Sequence, residues 1–360
     1  MNSDDPLQPV REAIDQIDTQ LIELLSQRGR LALQVADLKR AAADGEVVYY
    51  RPEREALVQR RVAGMNQGPY AAQGLRALFN ELISATLALE QPLRVAVVDR
   101  PGGVAMLAAQ NHFGASASYH RTASYHQALS DVAAGISDVT LLPVHDSALR
   151  WFPESIDLLL ESGLLPVGEM EVDARYLLFD SGTADDKTIQ LPDPVVVRLR
   201  KSVNESSGPG DYQVLTDASA PGQWPPPSHV MVPERFNERR INCDRPVLDG
   251  LSLNLQVNDD VQVSCQQKLL ILARIETEPT GDDKTMWLVN GGERPLQYEQ
   301  LLAVSDDLAE VGLLDEKKNR ALVVVQGHHL EPSPKAIEQQ LQAQFAEVKW
   351  VGSWPAALAV

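Results

Sequence analysis

The sequence predicts a multi-domain protein in which an all-α segment, an α/β segment and a small α+β segment follow one another. Three observations predict this order. The 360 residues exceed the roughly 100–200 residues of an ordinary domain. Apolar residues recur at spacings of three and four up to about residue 91, and beyond residue 93 short apolar runs alternate with helical patterns. We therefore expect domains at residues 1–92, 93–278 and 279–360.

Three helices are predicted in the first segment. The apolar periodicity predicts a long amphipathic helix over residues 6–40. A second helix is expected at 52–65, because Pro52 suits a first helical position. A third is expected at 71–91, and the Gln91-Pro92 pair ends it.

The middle segment has the strands and helices of an α/β domain. Its predicted strands are RVAVV (94–98), DVTLLPV (138–144) and KLLILARI (268–275), and a Gly-Gly turn followed by a helix comes after the first. The stretch from Asp180 to Pro233 is rich in Pro, Gly, Ser and Asp. It predicts long surface loops.

The last segment alternates strands and helices in a short length of chain. Strands are expected at TMWLV, RALVVVQ and EVKWVGS, with helices near 296–312 and 333–345. This β-α-β-α-β order predicts a small α+β sandwich of the ferredoxin-like kind.

Composition and charge exclude several classes of partner. The formal net charge of −18 argues against binding to nucleic acid or to an anionic membrane, since both require a basic surface. No apolar run approaches the roughly 18 residues of a membrane span. The acidic start MNSDDPLQPV has no signal-peptide pattern, and two cysteines form no disulfide framework. We therefore expect a cytoplasmic protein.

The cations that would receive an anionic ligand lie in the first segment. Residues 1–92 carry ten Arg and Lys against thirteen Asp and Glu. Arg28 and Lys39 are eleven residues apart, which places them about 20° apart around a helix and about 16 Å apart along it. Long side chains leaning inward could bracket a small dianion. Arg11 lies about 100° away around the same helix, so if it binds ligand it does so in another subunit's site.

The stretch YRPERE (50–55) has two interpretations. Its proline and acidic residues suit the start of a helix, where negative charge is favourable. Alternatively, its charges are directed at a ligand. Neither interpretation is excluded by the residues alone.

The first segment resembles a known family over residues 6 to 92. PLQPVREAIDQIDTQLIELLSQRGRLALQVADLK, YRPEREALV and LFNELISATLALEQPL are similar to the all-helical chorismate mutase domain at the amino terminus of bifunctional chorismate mutase/prephenate dehydratases. The family pattern R-x-x-I-D-x-x-D, the Arg and Lys eleven apart and the Arg-Glu pair opening the second helix are all present. The resemblance implies a three-helix fold in an intertwined homodimer.

The resemblance assigns catalytic roles on the first and third helices. Arg28 would hold a substrate carboxylate, and Arg11 would do the same in the partner's site. Lys39 would donate to the ether oxygen of the breaking bond, and Glu90 would offer that oxygen a second hydrogen bond. Thr86 lies one turn before Glu90 and would bind substrate.

The second helix completes the site that the resemblance implies. Glu55 would accept a hydrogen bond from the substrate hydroxyl, and Arg54 would support the site electrostatically. Arg51 stands where the family often has an acidic residue, and it is assigned to substrate binding. Conversion of chorismate to prephenate is an intramolecular rearrangement, so it requires fixed charges rather than a nucleophile, a metal or a cofactor.

The middle segment resembles a prephenate dehydratase domain whose catalytic motifs are altered. His145 and Asp146 replace the acid and the amide of P-[VI]-E-N-S. The family's catalytic Thr-Arg-Phe falls on Gln267, Lys268 and Leu269. Because glutamine cannot donate the proton that the leaving hydroxyl needs, we expect this region to lack dehydratase activity.

The last segment resembles an ACT regulatory domain in GDDKT, GHH (327–329) and VGSWPAAL. Its phenylalanine-binding loop is replaced by Leu296-Gln297-Tyr298, so ordinary phenylalanine feedback is not expected. The leading hypothesis is a chorismate mutase with an inactive dehydratase-like region. The alternatives are an active bifunctional enzyme that makes phenylpyruvate, and a carboxy-terminal half that senses a small molecule without catalysis.

Overall fold

The computed structural model describes most of the chain; the residues outside the description lie mainly at the two termini and in the middle segment. The backbone is described for residues 6–43, 47–98, 105–146, 151–180, 186–190, 195–201, 212–218, 229–233, 256–305, 307–315 and 319–357. Within these ranges the side chains are described too, except those at 146, 173–267 and 315.

Three helices form the amino-terminal segment, as the periodicity predicts. They are α1 (Gln8–Ala42), α2 (Pro52–Met65) and α3 (Ala72–Glu90). Helix α3 packs against both others. Within the chain α1 fully buries only two small residues, Ala32 and Ala36, so most of its apolar face is left uncovered by the other helices.

A six-stranded mixed sheet forms the centre of the middle segment. The elements are β1 (Arg94–Val98), α4 (Ala105–Phe113), β2 (Ser118–Thr122), α5 (Tyr125–Ala133), β3 (Val139–Asp146), α6 (Pro153–Ser162), β4 (Leu165–Asp180), β8 (His229–Pro233) and β9 (Gln256–Ala273). The strand order is β2-β1-β3-β9-β4-β8; β1 pairs in parallel with β2 and β3, and the remaining pairs are antiparallel. The sequence prediction lacked β2, α5, α6, β4 and β8.

The Pro- and Gly-rich stretch from Asp180 to Pro233 contains strands that the sequence prediction did not include, while the predicted long surface loops lie outside the described residues. Strands β5 (Asp186–Gln190), β6 (Val195–Lys201) and β7 (Tyr212–Ala218) form an antiparallel sheet. The turn-forming residues that suggested loops, such as SSGPGD and PGQWPPPS, fall in stretches outside the described residues.

Another antiparallel sheet forms the carboxy-terminal segment. Its elements are β10 (Asp283–Asn290), α7 (Tyr298–Leu302), β11 (Leu308–Asp315), β12 (Arg320–Gln326), α8 (Pro332–Gln344) and β13 (Glu347–Pro355). The strand order is β11-β12-β10-β13. The chain order is β-α-β-β-α-β, the ferredoxin-like arrangement.

The predicted helix near 296–312 was wrong over its second half, which is strand β11. Pairing of β11 with β12 overrides the local helical pattern, since strand formation depends on distant neighbours. Strand β11 also packs closely against Trp151 at Gly312, where a Cβ would collide with the ring of Trp151.

The mixed sheet and the carboxy-terminal sheet share one hydrophobic core. It contains Leu142 and Leu270 from the mixed sheet together with Met286 and Trp354 from the antiparallel sheet. The sheets therefore pack on one another. Among the described residues, no helix combines the length and hydropathy that crossing a bilayer requires.

Candidate active site

Two polar contacts join the first and third helices where the predicted site lies. Arg28 and Lys39 of α1 contact Thr86 and Glu90 of α3 respectively. Each pair is more than fifty residues apart in sequence. The structure thus places four of the residues predicted from the sequence in two contacting pairs.

Arg28 lies half-buried against the third helix. Its guanidinium donates a hydrogen bond to the Thr86 hydroxyl and approaches the Leu82 carbonyl at 3.5 Å. The Thr86 hydroxyl in turn donates to the Leu82 carbonyl at 2.6 Å. Burial, followed by the nearby charge of Arg54, lowers the pKa of Arg28. Arg54 of α2 is therefore close enough to strengthen the positive potential at Arg28.

Lys39 is held by two acceptors. Its ammonium lies 2.9 Å from Glu90 Oε2 and 3.2 Å from the backbone carbonyl of Tyr49. It also lies 5.5 Å from the centroid of the Tyr49 ring, within the range of a cation–π contact. The lysine side chain is 27% exposed and that of Glu90 is 10% exposed, so the pair is shielded from bulk water but open on one side.

Arg11 lies apart from this cluster. It is exposed near the start of α1, seventeen residues and about 25 Å along the helix from Arg28.

Glu55 faces a different environment from that of Lys39. It lines a small cavity of about 20 Å³ between α2, α3 and α4, together with Asn80, Ser84 and His112. Such a volume holds about one water molecule. Burial, followed by the charge of Glu53, raises the pKa of Glu55 to about 8, and burial lowers the pKa of His112 to about 4. Both groups are therefore mainly neutral at pH 7.

Arg51 points toward the carboxy-terminal part of the chain. Its guanidinium lies 3.5 Å from Glu53 and 3.7 Å from Glu278. Its side chain is 44% exposed. The contacts connect the start of α2 with the segment that precedes β10.

The residues at the dehydratase-like motifs form an internal ion network. Lys268 binds Glu310 and lies 3.5 Å from Glu169. Lys284 lies 2.7 Å from Glu169 and 3.3 Å from Glu310, and His145 lies 3.1 Å from Glu310. The side chains of Gln267 and Asp146 lie outside the described residues. Lys268 and His145 therefore make their polar contacts with carboxylates of the protein itself.

The network keeps Glu310 ionised. Burial alone would raise the pKa of Glu310, but the hydrogen bond from His145 and the charges of Lys268 and Lys284 hold it well below its usual range. Glu310 belongs to β11, whereas Lys268 belongs to β9. The charges therefore join the two sheets.

The sequence prediction missed Tyr49, which orients Lys39. The only signal for it was its position beside YRPERE in the break between two helices. Among the described residues, no group of three or more His, Cys, Asp or Glu is arranged to hold a metal ion.

Comparison with known proteins identifies relatives of the whole chain. The profile of the family "Chorismate mutase type II" matches residues 10–91. The chain is 29% identical over 372 residues to a bifunctional chorismate mutase/prephenate dehydratase of Stutzerimonas stutzeri, covering 99% of this chain and 100% of that protein. It is also 29% identical over 373 residues to the protein of that description from Pseudomonas aeruginosa, with 99% and 100% coverage.

Among solved structures, a prephenate dehydratase from Arthrobacter aurescens in complex with L-Phe aligns with 15% identity and a TM-score of 0.43, covering 74% of this chain and 92% of that chain. That likeness is too weak to establish the fold. The sequence alignments, in contrast, run through all three segments. Residues 10–91 match the chorismate mutase type II family, and the chain as a whole is similar to bifunctional chorismate mutase/prephenate dehydratases.

Proposed function

We propose that this protein converts chorismate to prephenate in aromatic amino acid biosynthesis, and that its dehydratase-like region is inactive. The observation that carries the proposal is the pair of contacts between α1 and α3, Arg28 with Thr86 and Lys39 with Glu90. These contacts fix two cations of α1 against polar side chains of α3. The domains would be residues 1–92 for the mutase, 93–278 for the dehydratase-like part and 279–360 for the ACT-like part.

The mechanism needs binding and charge stabilisation only. Arg28 would hold a carboxylate of the dianionic substrate, with Arg54 adding positive potential, so that the substrate is kept in the compact conformation that reacts. As the ether bond breaks, negative charge develops on its oxygen, and a fixed cation there stabilises the transition state more than the ground state.

Lys39 is suited to that role by the geometry of its own contacts. An ammonium group has three N–H donors. In the described part of the chain, Glu90 Oε2 and the Tyr49 carbonyl accept two of them. The two acceptors orient the group, and the third donor is available to the ether oxygen. Glu90 would hold Lys39 in place and, when protonated, would donate a second hydrogen bond to the same oxygen.

The working unit would be a homodimer. Large apolar residues follow α1 from Val10 to Leu38 and are 44–69% exposed in the single chain. Monomeric proteins rarely leave such a continuous apolar surface in water. A second copy covering this surface would bury it and would bring its Arg11 to the site, where Arg11 would bind a substrate carboxylate.

The ion network supports the loss of dehydratase activity. Lys268 and Glu169 are each 6% exposed and His145 is 5% exposed. A buried lysine bonded to two carboxylates has little capacity left to bind a substrate. The alternative of an active bifunctional enzyme would require other groups to donate the proton to the leaving hydroxyl.

Product identification tests the proposal directly. The full-length protein is given chorismate, and prephenate and phenylpyruvate are separated and quantified. We expect prephenate to accumulate without phenylpyruvate, and Arg28→Ala to abolish its formation. Phenylpyruvate formed by the wild-type protein would establish the bifunctional alternative, and absence of chorismate turnover would overturn the proposal.

A cleft beside the site favours a sensor role as a second candidate for the carboxy-terminal half. The cleft has a volume of about 380 Å³ and is lined by Tyr49, Tyr50, Gln91, Arg274 and Ile275, among others. This is within the size range of small-molecule sites. Thermal unfolding of the full-length protein with a panel of aromatic acids tests this role; a stabilisation that Arg274→Gln removes would support it, and no stabilisation would reject it.

A further inference from the structure

Helix α2, which carries Arg54 and Glu55, is attached at two points to the segment that begins the ACT-like part. At its start, Arg51 lies 3.7 Å from Glu278. Further along, Arg60 reaches residues more than 200 positions away in sequence. This second attachment has no counterpart among the roles assigned to the site.

Arg60 makes a cluster of contacts with the turn that precedes β10. Its Nη1 donates to Thr280 Oγ1 at 2.7 Å, and its Nη2 donates to the Asp282 carbonyl at 2.5 Å. The Asp282 carboxylate lies 3.3 Å from Nη2, and the Ala356 carbonyl lies 3.5 Å from it. With a side chain 19% exposed, Arg60 is docked rather than solvated.

The turn that receives Arg60 is fixed by its own hydrogen bonds. Asp283 is completely buried. It accepts from the Thr280 backbone N–H at 2.7 Å, from the Thr280 hydroxyl at 2.7 Å and from the Gly281 N–H at 3.1 Å. Because the Thr280 hydroxyl donates to Asp283, its lone pairs face Arg60. Gly281 has φ +82°, a conformation that favours glycine. Arg60 therefore binds a preformed acceptor.

The two attachments lie at different points along α2, one at the residue before its first turn and one within the helix. Arg51 precedes Arg60 by nine residues, which corresponds to about 14 Å of rise on an α-helix. Contacts separated in this way restrain both the position and the tilt of the helix. Arg54 and Glu55 lie between the two points, so their positions relative to α1 and α3 depend on both attachments.

We propose that Arg60 is a positioning residue for the mutase reaction, which it serves by holding α2 against the Thr280–Asp282 turn. The proposal rests on the proposed mutase function. It assigns the carboxy-terminal segment a role in that reaction even where it binds no regulator. A displacement of about 1 Å in a substrate-positioning group can cost up to about 100-fold in rate.

Steady-state kinetics of full-length variants test this role. We expect Arg60→Ala to lower kcat/KM about 10- to 100-fold, with a change in KM for chorismate. The matched control is Arg61→Ala, which removes the same charge from an exposed position on the same helix and should change kcat/KM less than twofold. A merely structural role would lower the melting temperature and the active fraction, which reduces apparent kcat but leaves KM unchanged.

A second contact partner makes the test independent of whether Arg60→Ala folds. Thr280→Val removes the hydroxyl that accepts from Arg60, and we expect it to lower kcat/KM as Arg60→Ala does. Thr280→Ser keeps the hydroxyl and should retain the wild-type kcat/KM. In the double variant, Thr280→Val should add little to Arg60→Ala, since both remove one interaction. Additive effects, an unchanged KM in both single variants or wild-type kinetics would overturn the proposal. If the wild-type protein is active and Arg28→Ala is not, such a result counts against Arg60 alone; an inactive wild-type protein overturns the mutase function as well.

Discussion

Cations in the helical segment and cations in the sheets differ in how deeply they are buried and in how many carboxylates they contact. Lys39 is 27% exposed and shares its ammonium with one carboxylate and one backbone carbonyl. The Lys268 side chain is 6% exposed and lies between the carboxylates of Glu169 and Glu310. The first arrangement leaves a donor for a ligand, whereas the second neutralises the charge within the protein. Charged residues at motif positions thus favour a ligand site only where their contacts within the chain leave some of their hydrogen-bonding capacity unused.

The free-energy cost of a buried, unpaired charge explains why Lys268 keeps its carboxylate partners. A buried charge without a partner is strongly destabilising, so once Lys268 is enclosed between the sheets its carboxylate partners are needed for folding. Burial lowers the pKa of Lys284, but Glu169 and Glu310 outweigh that effect and the pKa is raised overall. The network is therefore a structural joint between β9, β10 and β11, whereas the proposed ligand-binding role belongs to the contacts between α1 and α3.

Removing Lys268 should give the largest effect on stability and almost none on the mutase. Lys268→Ala leaves Glu169 and Glu310 buried with one fewer cation, and we expect it to lower the free energy of unfolding by about 3–5 kcal/mol. Denaturant titration measures this change. Arg40→Ala is the control, because its pair with Asp37 is exposed and should contribute less than about 1 kcal/mol. Loss of mutase kcat/KM by the folded Lys268→Ala protein would contradict the separation of the two regions.

Removing Lys39 should give the reverse pattern. We expect Lys39→Ala to lower kcat/KM about 100- to 1000-fold, which corresponds to about 2.7–4 kcal/mol of transition-state stabilisation, and to change the melting temperature little. Arg40→Ala removes the neighbouring charge on the same helix and serves as the kinetic control. Equal losses in the two variants would show that general positive potential, rather than the placed ammonium, accelerates the reaction.

Mixing two inactive variants tests whether Arg11 acts in the partner's site. If Arg11 and Arg28 of one site come from different subunits, a heterodimer of Arg11→Ala and Arg28→Ala has one intact site and one site lacking both. Random pairing makes half of the dimers heterodimers, so about a quarter of wild-type activity should return. Refolding the variants together and separately, followed by the chorismate assay, measures this. No recovery on mixing would place both arginines in one subunit's site or exclude the dimer.

The features predicted from sequence are those that depend on nearby residues. Apolar periodicity located the three helices to within about two residues, since the pattern that buries one face is local. The eleven-residue spacing likewise placed Arg28 and Lys39 on one face of α1. In contrast, β11 was predicted as helix because its pairing with β12 is tertiary.

Contacts between distant segments could not be predicted in this way. Arg60 looks like any surface arginine of an amphipathic helix until the turn at Thr280 is placed beside it, 220 residues later. Arg51 is similar, since its contact with Glu278 depends on how the segments pack. The surroundings of Glu55 also come from α4, which the sequence links to α2 by no periodic pattern.

Replacing Glu55 should give the smallest effect, a change in how stability depends on pH. Because burial and the charge of Glu53 raise the pKa of Glu55 from 4.5 to about 8, the folded protein holds this proton more tightly than the unfolded chain. The resulting stability is complete below about pH 4.5 and is lost as pH rises through 8. His112, whose pKa is lowered to about 4, acts in the opposite direction between about pH 4 and 6.5, so the measurement belongs at pH 6.5–8.5.

Over that range the free energy of unfolding of the wild-type protein should fall relative to that of Glu55→Gln, by at most about 1.4 kcal/mol per pH unit for one proton. Glu53→Gln is the informative control. The pKa of Glu53 is raised by burial, an effect that Arg51 opposes, and removing its charge should shift the Glu55 transition to lower pH. Denaturant titrations at several pH values measure both variants. Parallel curves for the wild-type protein and Glu55→Gln would show that the Glu55 carboxyl is solvated, and would return it to the set of charges that can face the substrate.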